Sequence, residues 1–208
     1  MYEYAPLGNR LNGNLAQRPL LPLDENIVQS DSSGAVSLDE AKRWLLLPNN
    51  DRQYDDEIQR LITFATDEAS KYTGEYFTTT VINAYYTHFG NLGFSQKFVS
   101  AINSINYYDE NNALQTISSD DYFLDQSGRF PALIFDPVPA VDLYQKRSAP
   151  VLVQYTSAIP APEISQTHIQ AILYILTKAF ENREDYEENG IAEKSKFLLE
   201  DLKRHGFL

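Results

Sequence analysis

The 208-residue chain contains no cysteine. Disulfides, thiolate nucleophiles and cysteine-ligated zinc are excluded with it, and the absence is in keeping with a reducing compartment. Histidine is scarce. His88, His168 and His205 lie far apart, and no His-x-x-x-His pair exists to hold a metal from one helix face. No apolar run approaches the roughly 18 to 20 residues needed to cross a bilayer. The opening Met1-Tyr2-Glu3-Tyr4 lacks the basic-then-apolar pattern of a signal peptide, so no membrane association is expected. Basic residues are outnumbered 17 to 29, a net charge of -12. Such a chain repels nucleic-acid phosphates unless a basic patch is segregated on one face. The densest basic stretch, Lys194-Ser195-Lys196 with Lys203-Arg204-His205, is interleaved with Glu200 and Asp201. Sequence-specific DNA binding is therefore not expected.

Signatures of catalysis are missing too. The nine glycines form neither a Gly-x-x-x-x-Gly-Lys phosphate loop nor a Gly-x-Gly-x-x-Gly turn, and no Gly-x-Ser-x-Gly elbow exists. The acid pairs Asp55/Asp56 and Asp120/Asp121 are adjacent in sequence. Neighbouring side chains diverge by about 100° on a helix and point to opposite faces of a strand, so such pairs read as cap or turn residues. No enzyme, no metal and no cofactor is expected.

What is present is enough apolar content, 43%, for one ordinary globular core. Residues 1–35 read as an extended arm, because Pro6, Gly8, Gly13, Pro19 and Pro22, then Ser30-Asp31-Ser32-Ser33-Gly34, interrupt both helix and sheet. Leu7, Leu11 and Leu15 recur at every fourth position, and Leu20, Leu21, Leu23, Ile27 and Val28 follow. Two readings stay open: a disordered tail, or an arm that orders against a neighbour.

Four helices are predicted. The first, at 37–47, opens with the capping box Ser37-Leu38-Asp39-Glu40 and stops before Pro48. Its Trp44, the only tryptophan, is expected in the core. The second, at 54–72, places Ile58, Leu61, Ile62, Ala65, Ala69 and Tyr72 on one face and ends at Gly74. The third, at 163–181, is apolar around much of its circumference, marking it as the most buried element. His168 in its first half reads as packed or surface-exposed rather than as a ligand. After the acidic link 181–190 comes a fourth helix at 192–205, with Phe197, Leu198 and Leu202 as a narrow stripe. Between them, 76–156 is rich in Thr, Val, Ile and Tyr. Strands are expected within 77–89 and 98–108, near 114–117 and 122–124, and at 132–135 and 151–155. The expected class is α+β, mainly α: a four-helix core with an inserted β-hairpin or small antiparallel sheet, and an extended N-terminal arm.

This order of elements, with Val36-Ser37-Leu38-Asp39-Glu40-Ala41-Lys42 and Lys71-Tyr72-Thr73-Gly74 at the front, resembles the head–tail connector (adaptor) family of tailed bacteriophages. Ser104-Ile105-Asn106-Tyr107-Tyr108-Asp109 is similar to the family's Val-x-Tyr-Tyr-Asp hairpin, departing at Asn106. Asp121-Tyr122-Phe123-Leu124-Asp125, Val153-Gln154-Tyr155-Thr156, Ile159-Pro160-Ala161-Pro162-Glu163-Ile164 and Glu181-Asn182-Arg183-Glu184 continue the match over 36–205. The arm at 1–35 stands outside the family core, leaving 36–208 as a single adaptor domain. The resemblance implies a homo-oligomeric ring, typically of twelve subunits, in the virion neck, assembled in the bacterial host cytoplasm. It implies contacts with the portal protein on one side and a head-completion (stopper) or tail protein on the other. Genomic DNA would pass through the lumen without sequence-specific binding. The alternative is a non-catalytic cellular protein-interaction module.

Three regions are the candidate contacts. Phe197, Leu198, Leu202, Phe207 and Leu208 are the expected portal or partner contact, with a frayed terminus as the alternative for the last two. Tyr107 and Tyr108 are expected to meet neighbouring subunits or the next ring, since tyrosine gives large contact area at low entropy cost. Leu11, Leu15, Leu20 and Leu21 are expected to lace subunits together. Ordinary packing or disorder is the competing reading for each.

Overall fold

A computed structural model of the chain describes residues 19–128, 130–181 and 191–203. These contain four α-helices and eight β-strands in two antiparallel sheets. The helices are α1 (Leu38–Trp44), α2 (Asp55–Thr73), α3 (Gln166–Glu181) and α4 (Glu193–Leu199). The strands are β1 (Asp24–Ser30), β2 (Thr80–Tyr86), β3 (Leu92–Gly93), β4 (Val99–Tyr108), β5 (Leu114–Thr116), β6 (Tyr122–Asp125), β7 (Ala132–Phe135) and β8 (Val151–Ser157).

The expectation of a helix-dominated four-helix core with a small β insert is overturned. The β region is not an appendage but builds a hydrophobic core of its own. One sheet runs in the order β1-β2-β8-β4-β5 and the other β3-β7-β6. Strands β2 and β8 alternate strictly between buried and half-buried positions. Their register sets Ile82 opposite Tyr155 and Ala84 opposite Val153, so one face of each strand turns inward together. Leu92, Leu133 and Phe135 of the second sheet complete this core with Phe89 and Phe94. Aromatic rings fill it edge to face: Phe89 meets Phe135 at 5.3 Å between centroids and Tyr107 at 5.5 Å.

The second core is helical. Ile58, Ile62, Ala65 and Ala69 of α2 meet Ala171, Ile172, Leu173, Ile175 and Leu176 of α3, with Ala41, Leu199 and Leu202 around them. Ser37 Oγ accepts from Glu40 N at 3.3 Å and caps α1, and Gly74, at φ 77°, closes α2. Trp44 is half-buried, with its Nε1 donating to Thr177 Oγ1 at 2.8 Å and its ring edge-on to Tyr174. Helix α3 starts at Gln166 rather than 163, because Ile164 is extended after a 3-10 turn at Ala161–Glu163. Helix α4 ends at Leu199 and tightens into a 3-10 turn, Glu200–Leu202. The acidic link at 182–190 lies outside the described residues. The two cores meet where Ile159 N donates to Tyr76 O at 2.7 Å, with Tyr76 packed on the β side and Phe77 and Ile159 on the helical side.

The segment read as an arm contributes a strand. β1 lies antiparallel on β2 from Asp24 opposite Tyr85 to Ser30 opposite Thr80, with a bulge between Ile27 and Gln29. Just before it, Leu20 bridges Leu92 of the second sheet: Leu20 N donates to Asn91 O at 2.7 Å, and Gly93 N donates to Leu20 O at 2.8 Å. Residues 20–30 thus close one side of the β core. A Cβ on Gly93 would lie 2.8 Å from Pro19 Cβ, so only glycine allows this approach. After β1 the chain is stitched to α2. Thr63 Oγ1 donates to Ser32 O, Gln59 Nε2 to Ser33 O, and Ala35 N to Thr66 Oγ1, at 2.7, 2.8 and 3.0 Å. Between them Gly34 turns at φ 81°, where a Cβ would stand 2.4 Å from Ile62 Cγ2.

Candidate assembly interfaces

The three sequence-predicted regions occupy different environments. On α4, Phe197 projects into solvent at 80% exposure and Leu198 is half-buried against the helical core, while Leu202 in the following 3-10 turn is buried in that core. Phe207 and Leu208 lie outside the described residues. Polar contacts on both sides hold this segment. Tyr72 Oη donates to Glu200 Oε2 at 2.7 Å, and the buried ring of His168 bonds Asp201 at 2.9 Å from Nε2. His168 Nδ1 accepts from Ser165 N at 3.1 Å, which fixes Nε2 as the donor to Asp201. The histidine is thus a packed, hydrogen-bonded tie between α3 and the end of α4.

At the β4–β5 hairpin, Tyr107 is half-buried against Phe89. Tyr108 carries the Arg147 guanidinium over its ring at 3.6 Å. Both rings are therefore engaged within the chain, and the exposed apolar side chain here is Leu114. The hairpin tip is held by Asp109, whose carboxylate accepts from the backbone N–H groups of Ala113 and Asn111 and from Gln115 Nε2. The Ala113 N–H, then the Gln115 amide, hold its carboxyl below the usual range.

In the arm, Leu20 is tied into the second sheet and Leu21 is exposed, while Leu11 and Leu15 lie outside the described residues. Of the arm's other apolar residues, Ile27 and Val28 lie on β1 and Leu23 stands just before it. Leu23, Ile27 and Val28 are 60%, 54% and 50% exposed. β1 is the terminal strand of its sheet, and among the described residues no strand covers its outer edge. Behind it runs a groove of about 430 Å³ between β1 and the C-terminal half of α2, lined by Ile27, Ser30, Asp67, Ser70, Lys71 and Thr78 among others.

A further exposed residue is Leu46, in the loop from α1 to α2. It stands 91% exposed at φ 59°, in the left-handed region that leucine rarely adopts. The loop is pinned from beneath by Lys42, whose side chain is buried. Its Nζ donates to Asp51 O at 2.5 Å and to Asn49 O at 3.5 Å, and it pairs with the Asp55 carboxylate. Asp55 therefore serves as the partner of a buried lysine as well as a first-turn acid. No spacing rule flags that pairing, although a lysine one step from the apolar Ala41 was a visible hint.

Among the described residues no helix is long and apolar enough to cross a membrane, and no group of three or more His, Asp or Glu is placed to hold a metal.

No protein-family model matches the chain, and no curated protein matches it. Solved structures do. A chain from the neck of an empty gene transfer agent (GTA) particle, computed with C6 symmetry, is similar at TM-score 0.67 and 13% identity, covering 89% of this chain and 98% of that one. A chain from the virion of a native GTA particle is similar at TM-score 0.65 and 13% identity, covering 88% and 97%. A chain from the neck of a native GTA particle, computed with C12 symmetry, is similar at TM-score 0.63 and 14% identity, covering 89% and 98%. At such identity the likeness is one of fold, and it spans nearly the whole of each chain: this protein is built on the fold of a chain from the GTA particle neck, in keeping with the head–tail connector resemblance carried by its motifs.

Proposed function

We propose that the chain is a structural head–tail connector (adaptor) protein of a tailed phage. It forms a ring between the portal and the head-completion or tail proteins, and DNA passes through the bore. The observation that carries this reading is the likeness in fold, over 89% of this chain, to a chain of a particle neck computed with C6 and with C12 symmetry. A ring of six or twelve copies follows from those symmetries by analogy. The net charge of -12 supports a molecule that lets DNA pass rather than one that grips it. Its work is done through shape and contact.

In this reading the C-terminal segment meets the portal, with the solvent-facing Phe197 and the terminal Phe207 and Leu208 as contacts. Leu198 and Leu202 support the helix from the core side. The β4–β5 hairpin, braced by Tyr107 and Tyr108, faces the neighbouring subunit or the next ring through Leu114. Electron microscopy of the purified protein mixed with its portal tests the proposal. Stacked rings are expected. Particles that stay monomeric beside intact portals would overturn it in favour of a cellular interaction module. Phe197→Ser is expected to abolish co-sedimentation with the portal while leaving the fold intact.

A further inference from the structure

Three features converge on β1. Its outer edge is uncovered among the described residues, and a strand edge offers a row of backbone donors and acceptors to any extended segment. It carries none of the lysines or prolines that usually protect an edge, and Ile27 and Val28, with Leu23 just before the strand, are exposed apolar side chains among the exposed polar Asp24, Asn26, Gln29 and Ser30. The groove behind it combines the apolar Ile27 with the acidic Asp67, while Lys71 on its rim is neutralised by Glu68 at 2.6 Å.

The chain itself supplies a matching occupant. Residues 1–18 hold two basic residues, Arg10 and Arg18, against one acid, Glu3, whereas the remainder holds 15 basic and 28 acidic residues. The segment thus carries a slight positive excess in a protein of net charge -12, and Asp24, Asp31 and Asp67 flank the edge it would meet. Pro6, Gly8 and Gly13 oppose helix. In an extended segment, residues at even spacing share a face, so Leu7, Leu11 and Leu15 would all turn the same way. Fully extended, 18 residues reach roughly 60 Å, more than the roughly 40 Å width of a compact chain of this size.

We propose that the open edge of β1 and the groove behind it receive residues 1–18 of a neighbouring copy as an added strand, so that each subunit is strapped to the next. The proposal rests on the ring reading above and names the lateral contact within it. The leucines of the incoming arm cover Ile27 and Val28, and its arginines lie beside Asp24 and Asp67.

The absence of native cysteine makes the test clean. Full-length chains carrying Leu7→Cys, Leu11→Cys or Leu15→Cys are each mixed with full-length chains carrying Val28→Cys, assembled with the portal, and oxidised. A disulfide-linked heterodimer from at least one arm position is expected, and it should be lost when Ile27→Lys is added to the Val28→Cys chain. Rings that form normally yet give no heterodimer would overturn the arm proposal and leave the ring reading standing. Failure to form rings by any chain, wild type included, would overturn both. A chain carrying both Leu11→Cys and Val28→Cys, diluted into excess wild-type protein, distinguishes the source of the arm. An intramolecular disulfide there, with no heterodimer in the mixed experiment, would overturn the exchange between copies.

Discussion

The phenol of Tyr155, fully buried in the five-stranded sheet, donates to Oε1 of Glu25 on β1 at 2.9 Å. The other carboxylate oxygen of Glu25 takes the hydroxyl of Ser95. One side chain thus holds the edge strand to a central strand and to the segment that follows β3. Without it, a buried hydroxyl loses its acceptor. Glu25→Ala is expected to lower stability by about 1–3 kcal/mol, the range for orphaning a buried polar group. Backbone amides of 24–30 should then exchange faster in hydrogen–deuterium experiments. Unchanged protection of β1 would show that Glu25 does not hold the strand.

Tyr86 and Tyr155 make the fold sensitive to alkali. Burial, with the Glu25 carboxylate adding to it, pushes both phenols far above the usual tyrosine range. A phenol whose folded value is raised stays protonated when its unfolded counterpart ionises. The stability it contributes is fully present below about pH 10 and is lost as pH rises above that value. Urea unfolding is expected to show a decline of about 1.4 kcal/mol per pH unit for each such group above pH 10. Tyr155→Phe should remove one group's share of the slope. An equal slope in the variant would refute the assignment.

Lys42 is a buried cation whose partners are two carbonyls and Asp55. Lys42→Met keeps the length and apolar stem of the side chain but leaves those acceptors unanswered. A loss of about 3 kcal/mol is expected, as for breaking one side of a buried pair. The urea midpoint reports it. A midpoint within error of wild type would mean that the loop re-solvates freely.

Leu46 should separate folding from assembly. Leu46→Gly relieves a left-handed leucine and deletes an exposed apolar side chain. Relief of strain, less the entropy glycine adds to the unfolded chain, predicts a thermal midpoint unchanged or raised, by up to about 1 kcal/mol in stability. Ring formation with the portal, read by sedimentation, is expected to weaken. A variant that is destabilised yet assembles normally would show that this conformation serves the monomer alone.

The helices were legible because their signals are local. Ser37 and Glu40 stand three apart, the α2 stripe repeats within nineteen residues, and Gly74 follows directly. Strand β7 falls at the predicted 132–135 because it is a short apolar run between prolines. The weight of the β half was hidden by non-local pairing. β2 meets β8 across some seventy residues, so neither strand's sequence reveals the sheet between them. β1 escaped notice because its apolar residues face solvent and do not alternate, and Pro22 and Gly34 frame it as a loop. The two-residue β3 carries no period at all. Among the candidate contacts, the outward turn of Phe197 beside the half-buried Leu198 is a matter of helical phase, which a three-residue stripe defines poorly. The ties of Tyr72 to Glu200 and His168 to Asp201 join residues 128 and 33 positions apart, beyond any spacing rule.

The stitching of residues 32–35 onto α2 has a mechanical corollary. Gly34 is pressed against Ile62 with no room for a Cβ, and Gln59, Thr63 and Thr66 clasp the backbone on either side. The rim formed by β1 and the rim formed by α2 are therefore tied to each other through residues 32–35. The gap between them is set in part by a glycine some distance away, and a bulkier residue at position 34 would spread the two rims without touching whatever lodges there.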